Sequence, residues 1–218
     1  MTQEFIDAAT QGDVAKVKEM LLTDPSLAQS KDQNGLSVIL KAQYYGKREV
    51  VGELLATGVQ IDIFEAAATR QTARVEALIK DDPSLANAYS VDGFTPLGLA
   101  AFFGHPQTVN ALLAGGAQVN MASRETMKMT PLASAIAAQQ NDIVRTLIEH
   151  GADVNAKAEN DLSPLHTAAA RGNLEVAALL LDHGADLNAT TKDGKTAVAY
   201  AEERNHPEMV EFLQYRAR

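Results

Sequence analysis

Apolar positions along this chain come in short bursts of helical spacing, separated by polar turns. The stretch SPLHTAAARGNLEVAALLLDHGADLN, residues 163–188, shows the unit most clearly. Leu165, Ala168 and Ala169 give a narrow apolar face at three- and four-residue spacing, which predicts a short helix. Ser163 before Pro164 predicts its start, because the hydroxyl caps free N–H groups and proline suits the first helical turn. Gly172 predicts its end. From Leu174 to Asp182, Leu and Val again recur at three- and four-residue spacing and predict a second helix, with Gly184 in the left-handed position past it.

This unit repeats. Thr95-Pro96-Leu97 recurs as Thr130-Pro131-Leu132, Ser163-Pro164-Leu165 and, more loosely, Thr196-Ala197-Val198, in steps of 35, 33 and 33 residues. A second marker keeps the same phase: Gly115-Gly116-Ala117-Gln118-Val119-Asn120, Gly151-Ala152-Asp153-Val154-Asn155 and Gly184-Ala185-Asp186-Leu187-Asn188. Asn34-Gly35, Asp92-Gly93 and Asp193-Gly194 are tight-turn dipeptides. A unit of helix, turn, helix and projecting hairpin cannot bury its own apolar face, so neighbours must stack.

The N-terminal half has its own order at an offset of 58 residues. Asp24-Pro25-Ser26-Leu27-Ala28 matches Asp82-Pro83-Ser84-Leu85-Ala86, and Tyr44-Tyr45-Gly46 matches Phe102-Phe103-Gly104. Pro25 and Pro83 stand where Gly151 ends a second helix, so the stop is kept by another mechanism. Two places depart from the pattern. Gly58 to Asp62 runs almost directly into Ile63, which reads as about four residues missing, enough to remove most of one hairpin. Met121 to Met129 forms a longer connection that lacks the turn glycine. The count is seven units in one domain: 1–33, 34–62, 63–91, 92–126, 127–159, 160–192 and 193–218. The first and last read as caps with polar outer faces, carrying Lys16, Lys18, Glu19, Glu208, Glu211 and Arg216.

The Thr-Pro-Leu and Gly-Ala-Asp-Val-Asn markers resemble the ankyrin repeat, whose usual pattern is Thr-Pro-Leu-His-x-Ala-Ala followed later by Gly-Ala-Asp-Val-Asn. The resemblance implies an all-α solenoid of about seven helix-turn-helix repeats with projecting hairpin loops. It also implies a non-enzymatic module that binds a protein or peptide, of a stand-alone kind met more in bacteria than in animals. Nearly the whole chain is repeat, so any regulatory effect is expected to act by binding or blocking.

Composition narrows the classes. Of 218 residues, 46% are hydrophobic, enough for a sizeable core. The 37 Ala fit many helices packed closely through small side chains. The absence of Cys removes disulfides, thiolate metal sites and a Cys nucleophile. A net charge of -9, evenly spread, argues against nucleic acid as a partner. No apolar run reaches the ~18–20 residues of a membrane span, and Met1 to Asp13 does not have the pattern of a secretory signal. The expectation is a soluble cytoplasmic protein without cofactor or metal.

The His residues invite catalytic readings. Asp161, Ser163 and His166 bring an acid, a hydroxyl and an imidazole close in sequence. A triad also needs an oxyanion hole and a base placed to take the hydroxyl proton. The simpler reading is that Ser163 caps its helix and, as the resemblance implies, His166 bonds between repeats. His150 and His183 precede cap glycines, where a polar side chain meets the last helical carbonyls. His105 and His206 occupy turns between paired helices.

In proteins that this chain resembles, partners bind on the hairpin tips and the inner face of the first helices. The pairs at the variable, solvent-facing positions include Tyr44-Tyr45, Ala68-Thr69 and Phe102-Phe103, and the tip positions include Tyr89 and Phe94. Six aromatics therefore fall where packing does not require them. Clustered exposed aromatics are what binding sites present. With helices about 8–10 Å apart, two repeats place Tyr44-Tyr45 and Phe102-Phe103 about 20 Å apart, as walls of a shallow groove over Ala68 and Thr69. The alternative is that some of these rings only stabilise the stack. Met127 and Lys128 in the long loop form a second candidate surface. The rival functional readings are self-association of an otherwise monomeric chain into a homodimer through the same face, and small-molecule binding in the cleft between repeats two and four.

Overall fold

The computed structural model describes residues 1–218 and contains fourteen α-helices in seven antiparallel pairs. The first helices are α1 (Thr2–Gln11), α3 (Val38–Tyr44), α5 (Ile63–Ala68), α7 (Pro96–Phe103), α9 (Pro131–Ala137), α11 (Pro164–Ala170) and α13 (Ala197–Glu203). Their partners are α2 (Val14–Thr23), α4 (Arg48–Ala56), α6 (Thr72–Asp81), α8 (Pro106–Ala114), α10 (Asn141–Glu149), α12 (Leu174–Asp182) and α14 (Pro207–Arg216). None is long and apolar enough to cross a membrane.

Side-chain caps start the first helices from α3 onward. Ser37, Thr95, Thr130, Ser163 and Thr196 each accept from the backbone N–H three residues on. Asp62 does the same for α5 in a capping box with Glu65. Every turn between paired helices passes through a left-handed residue: Gly12, Gly46, Arg70, Gly104, Gln139, Gly172 and Asn205. At Gly104 and Gly172 space as well as backbone demands glycine. A Cβ there would lie 2.6 Å from the Gln140 side chain and 2.7 Å from the His206 ring. At Pro25 and Pro83 the stop is a 3-10 turn. The Asp24 and Asp82 carboxylates cap it, accepting from Ser26 and Ser84 N–H at 3.0 Å.

The first helices form a continuous inner layer, each packed on the next from α1 to α13. Alanine permits this: Ala42, Ala67, Ala100, Ala135, Ala168 and Ala201 are wholly buried along it. The outer layer is less continuous. α2 packs on α4, and α6, α8, α10 and α12 pack in series, whereas α4 and α6, and likewise α12 and α14, barely touch.

Two devices tie the later junctions. Asn87 donates to Gly116 O at 2.9 Å and accepts from Gln118 N–H at 2.7 Å. Asn120 bridges in the same way to Gly151 and Asp153, and Asn155 to Gly184 and Asp186. The hairpins form the second device. Arg124, Glu159 and Lys192 donate from the backbone to Gly93, Met127 and Asn160 carbonyls in the preceding hairpin, at 2.8, 3.0 and 2.9 Å. In the long connection Lys128 takes the left-handed position (φ 51°) that Gly35, Gly93 and Gly194 hold elsewhere.

The short connection departs further from the pattern than its sequence suggests. Residues 57–62 alone join α4 to α5, where fourteen residues (82–95) join α6 to α7. Eight residues are missing rather than four, so the hairpin is gone. The capping box fixes the start of α5 at Asp62, leaving no chain for a hairpin. Side chains seal the junction instead. Glu65 is buried close to Ser37 and accepts from Asp62 N–H at 2.9 Å. Burial holds its carboxyl above the usual range. Tyr44 crosses the gap and donates to Asp92 Oδ2 at 2.7 Å.

His166 is part of this framework. It is 1% exposed, its Nε2 lies 3.0 Å from Lys195 O, and its Nδ1 lies 2.6 Å from Ser163 Oγ. A carbonyl only accepts, so the proton sits on Nε2 and Nδ1 receives the Ser163 hydroxyl. The pair caps α11 and ties it to the next hairpin, sealed from any substrate. His150 and His183 place Nδ1 2.8 Å from Thr146 and Leu179 carbonyls at their helix ends.

Asn120→Ala should cost about 1 kcal/mol, or roughly 3 °C in Tm, while Asn188→Ala, whose side chain bridges to no other repeat, should leave Tm unchanged. Equal effects in thermal melts would refute the ladder. A second expectation concerns pH. Burial lowers the His166 pKa below its ordinary value, so the unfolded chain takes up a proton where the folded chain does not. The stabilising contribution of neutral His166 is complete above about pH 6.5 and is lost as pH falls through the depressed folded value. Tm should therefore drop between about pH 7 and 5, and drop less in His166→Gln.

Candidate functional site

The missing hairpin decides where the aromatic residues go. α5 is the shortest helix, and Ala66, Ala67 and Ala68 on it are fully buried. Nothing bulky on α5 keeps the neighbouring repeats apart at this level. Tyr44, at the end of α3, therefore reaches across α5 to repeat four. Its ring centroid lies 5.7 Å from Phe103 and 6.4 Å from Phe94. Phe103 meets Phe102 edge-on at 5.2 Å and stacks towards the His105 ring at 6.5 Å. These separations suit aromatic contact. The result is one continuous strip running from Phe94 on the hairpin to His105 at the far turn.

The expected groove with walls about 20 Å apart is thus corrected. The pairs meet, because a tyrosine spans a junction whose hairpin is absent. Tyr44, Phe94 and Phe103 are half-buried against the core, so the stacking alternative describes much of their surface. Burial and the Asp92 carboxylate raise the Tyr44 phenol far above its ordinary range, which keeps it a hydrogen-bond donor. Ala68 is a correction too: it is fully buried and offers a partner no side-chain surface. Its carbonyl receives His105 Nε2 at 2.9 Å. Thr69 is half-buried and donates its hydroxyl to Glu65 O at 2.7 Å.

The other expected residues lie apart from the strip. Tyr89 bridges two hairpins, donating to Ala122 O at 3.1 Å beneath the Arg124 guanidinium, 3.8 Å from its ring centroid. Met127 and Lys128 are exposed at the tip of the long hairpin. In the middle repeats the large apolar side chains left open are Tyr45 (64% exposed), Phe102 (45%), Val91 (68%) and Met127 (52%); Met1, Leu22 and Tyr215 are exposed in the terminal repeats. The Gly35 backbone approaches Val91 across the gap left by the missing hairpin.

Beside the strip lies a groove of about 630 Å³, within the range that binds ligands. Tyr44, Phe103, Val51 and Leu55 give its apolar wall, and Arg48, Arg70 and His105 its polar edge. It runs between α4 and the turns at Thr69–Arg70 and Gly104–His105. Sequence reasoning passed over Arg48, Arg70 and His105. The available signal was their place at the helix-pair turns, next to Gly46 and Gly104 and, for Arg70, in the left-handed turn position itself.

Comparison with known proteins agrees with this architecture. Residues 63–158 match a family described as "Ankyrin repeats (3 copies)", and residues 147–201 one described as "Ankyrin repeats (many copies)". A serine/threonine-protein kinase, VIK, of Arabidopsis thaliana is 30% identical over 127 residues, covering 58% of this chain and 28% of the kinase. The ankyrin repeat domain-containing protein SAT10 of Stachybotrys chartarum is 26% identical over 164 residues, covering 73% of this chain and 8% of that protein. The chain therefore spans less than a third of the length of these curated relatives. With seven stacked helix pairs and repeat matches from residue 63 to 201, the chain is an ankyrin-repeat solenoid.

Proposed function

We propose that this chain binds a protein partner on its inner face, along the strip from Phe94 through Tyr44 and Phe103 to Phe102, with Tyr45 beside it. Ankyrin repeats generally mediate protein–protein interaction. The observation that carries the finer reading is the strip itself. A half-buried row of three rings holds Phe102 nearly half exposed in a defined edge-to-face geometry. A rigid aromatic anchor loses little side-chain freedom on binding, which is why such rings carry interface energy. The packed rings set the shape, and the exposed ones supply the contact. The proposed activity is binding without chemistry, since the Ser163–His166 pair is buried and committed to helix capping and a repeat contact.

The two roles separate by substitution. Tyr44→Ala should lower stability by about 2 kcal/mol through lost packing and the lost Asp92 bond. Tyr45→Ala/Phe102→Ala should cost about 1 kcal/mol, from the lost Phe102–Phe103 edge contact, clearly less than Tyr44→Ala, yet lose the partner in affinity capture from the native cell. Light scattering at two concentrations adds the oligomeric state. A concentration-dependent dimer that the double variant abolishes would make the partner a second copy. A double variant that keeps every captured protein, or that is as unstable as Tyr44→Ala, would refute the reading.

A further inference from the structure

We propose that the groove between α4 and the α7–α8 turn receives an acidic peptide segment, with a carboxylate held between Arg48 and Arg70 and an apolar neighbour resting on Tyr44 and Phe103. This rests on the interaction reading above and names the chemistry of the partner.

Charge carries the argument. Among the residues lining the groove none is acidic, in a chain of net charge -9. Arg48 and Arg70 are exposed, and neither forms an ion pair or a side-chain hydrogen bond. Six of the 19 basic side chains form ion pairs, among them Lys18 with Glu53 and Lys41 with Asp32; what sets Arg48 and Arg70 apart is that both line one groove that no acidic side chain lines. On α4, Arg48, Gly52 and Leu55 line the groove, whereas Glu49 and Glu53 line only the clefts on the α2 side, where Arg48 also reaches. Both arginines share the groove with His105. Burial lowers the pKa of that ring first, and the positive charges of Arg70 and Arg48 lower it further. The ring is held neutral, with Nε2 committed to Ala68 O.

Geometry agrees. α8, which opens at the groove, has neither a side-chain cap nor an acidic residue in its first turn, so its positive dipole end adds to the same field. The apolar wall stands against this cationic edge. That combination fits a carboxylate beside an aromatic or aliphatic side chain better than a bare anion. Guanidinium groups suit a carboxylate because their planar forks donate in pairs.

The test uses nitrogen-15 NMR of the full chain with two blocked tetrapeptides, acetyl-Phe-Glu-Phe-Glu-amide and acetyl-Phe-Gln-Phe-Gln-amide, and with inorganic phosphate. The acidic peptide should shift the Gly46 and Gly104 amides and the Arg48 and Arg70 Nε–H signals, and bind about tenfold more tightly than the neutral one. Raising salt from about 0.05 to about 0.3 M should weaken only the acidic peptide. Arg48→Gln/Arg70→Gln, a surface change that leaves the fold intact, should remove the preference. The proposal is overturned if both peptides bind wild type equally or if the preference survives in the double Arg variant. It is also overturned if phosphate gives the same shifts at the same affinity, or if Gly46 and Gly104 do not move. Tyr45→Ala/Phe102→Ala should keep the acid preference. Failure of partner capture and failure of the carboxylate site are therefore read separately.

Discussion

A helix pair in this chain buries its apolar face only against the pairs before and after it. Every junction must therefore be closed, and how each is closed decides what the surface displays. The inner layer closes everywhere by the same means, alanines small enough to let first helices touch along the whole stack. What varies is the polar closure above and below that layer. From residue 87 onward it is repetitive: an asparagine bridges each lower loop, and a backbone hydrogen bond joins each hairpin to the last. Each bond contributes only about 1 kcal/mol net, but their regular recurrence holds the register.

The junction between repeats two and three has neither device. With 57–62 as its only connection, the chain has no hairpin to dock and no asparagine to bridge. Side chains that would otherwise face solvent take over. Glu65 is buried close to Ser37, and Tyr44 crosses to Asp92. The outer layer has no such substitute, so α4 and α6 barely touch, and the groove opens along α4 beside the α5–α6 and α7–α8 turns. One shortened connection thus accounts for the aromatic strip, the buried glutamate and the open seam together.

What the sequence made legible follows from locality. Caps at Thr95, Thr130 and Ser163, the turn glycines and the Gly-Ala-Asp-Val-Asn marker are short-range signals, and each has the structural meaning that short-range chemistry assigns. The size of the deletion was legible but undercounted: units 34–62 and 63–91 are each 29 residues, four short of 33, and the two deficits together give the eight residues by which α5 begins early. The direction of Tyr44 was hidden. Its place after α3 reads as solvent-facing in a regular stack, and only the closure of an irregular junction turns it inward. Ala68 was misread as groove surface because its burial depends on how closely α7 approaches. Arg48 and Arg70 look like ordinary exposed turn residues until the fold shows that no acid reaches them.

The acidity of the chain and the cationic groove are compatible once distance is considered. At physiological salt, charges are screened within about 8 Å, so the net charge of -9 spread over 10800 Å² of surface acts weakly on an approaching peptide. What the peptide meets at contact is the local field. At the groove that field comes from two unpaired guanidinium groups and the uncapped end of α8, beside half-buried rings that exclude water from one side. Lower effective dielectric strengthens each of these contributions relative to bulk water. The general negative charge then works as discrimination: an acidic segment is disfavoured over most of the surface and favoured in the groove along α4.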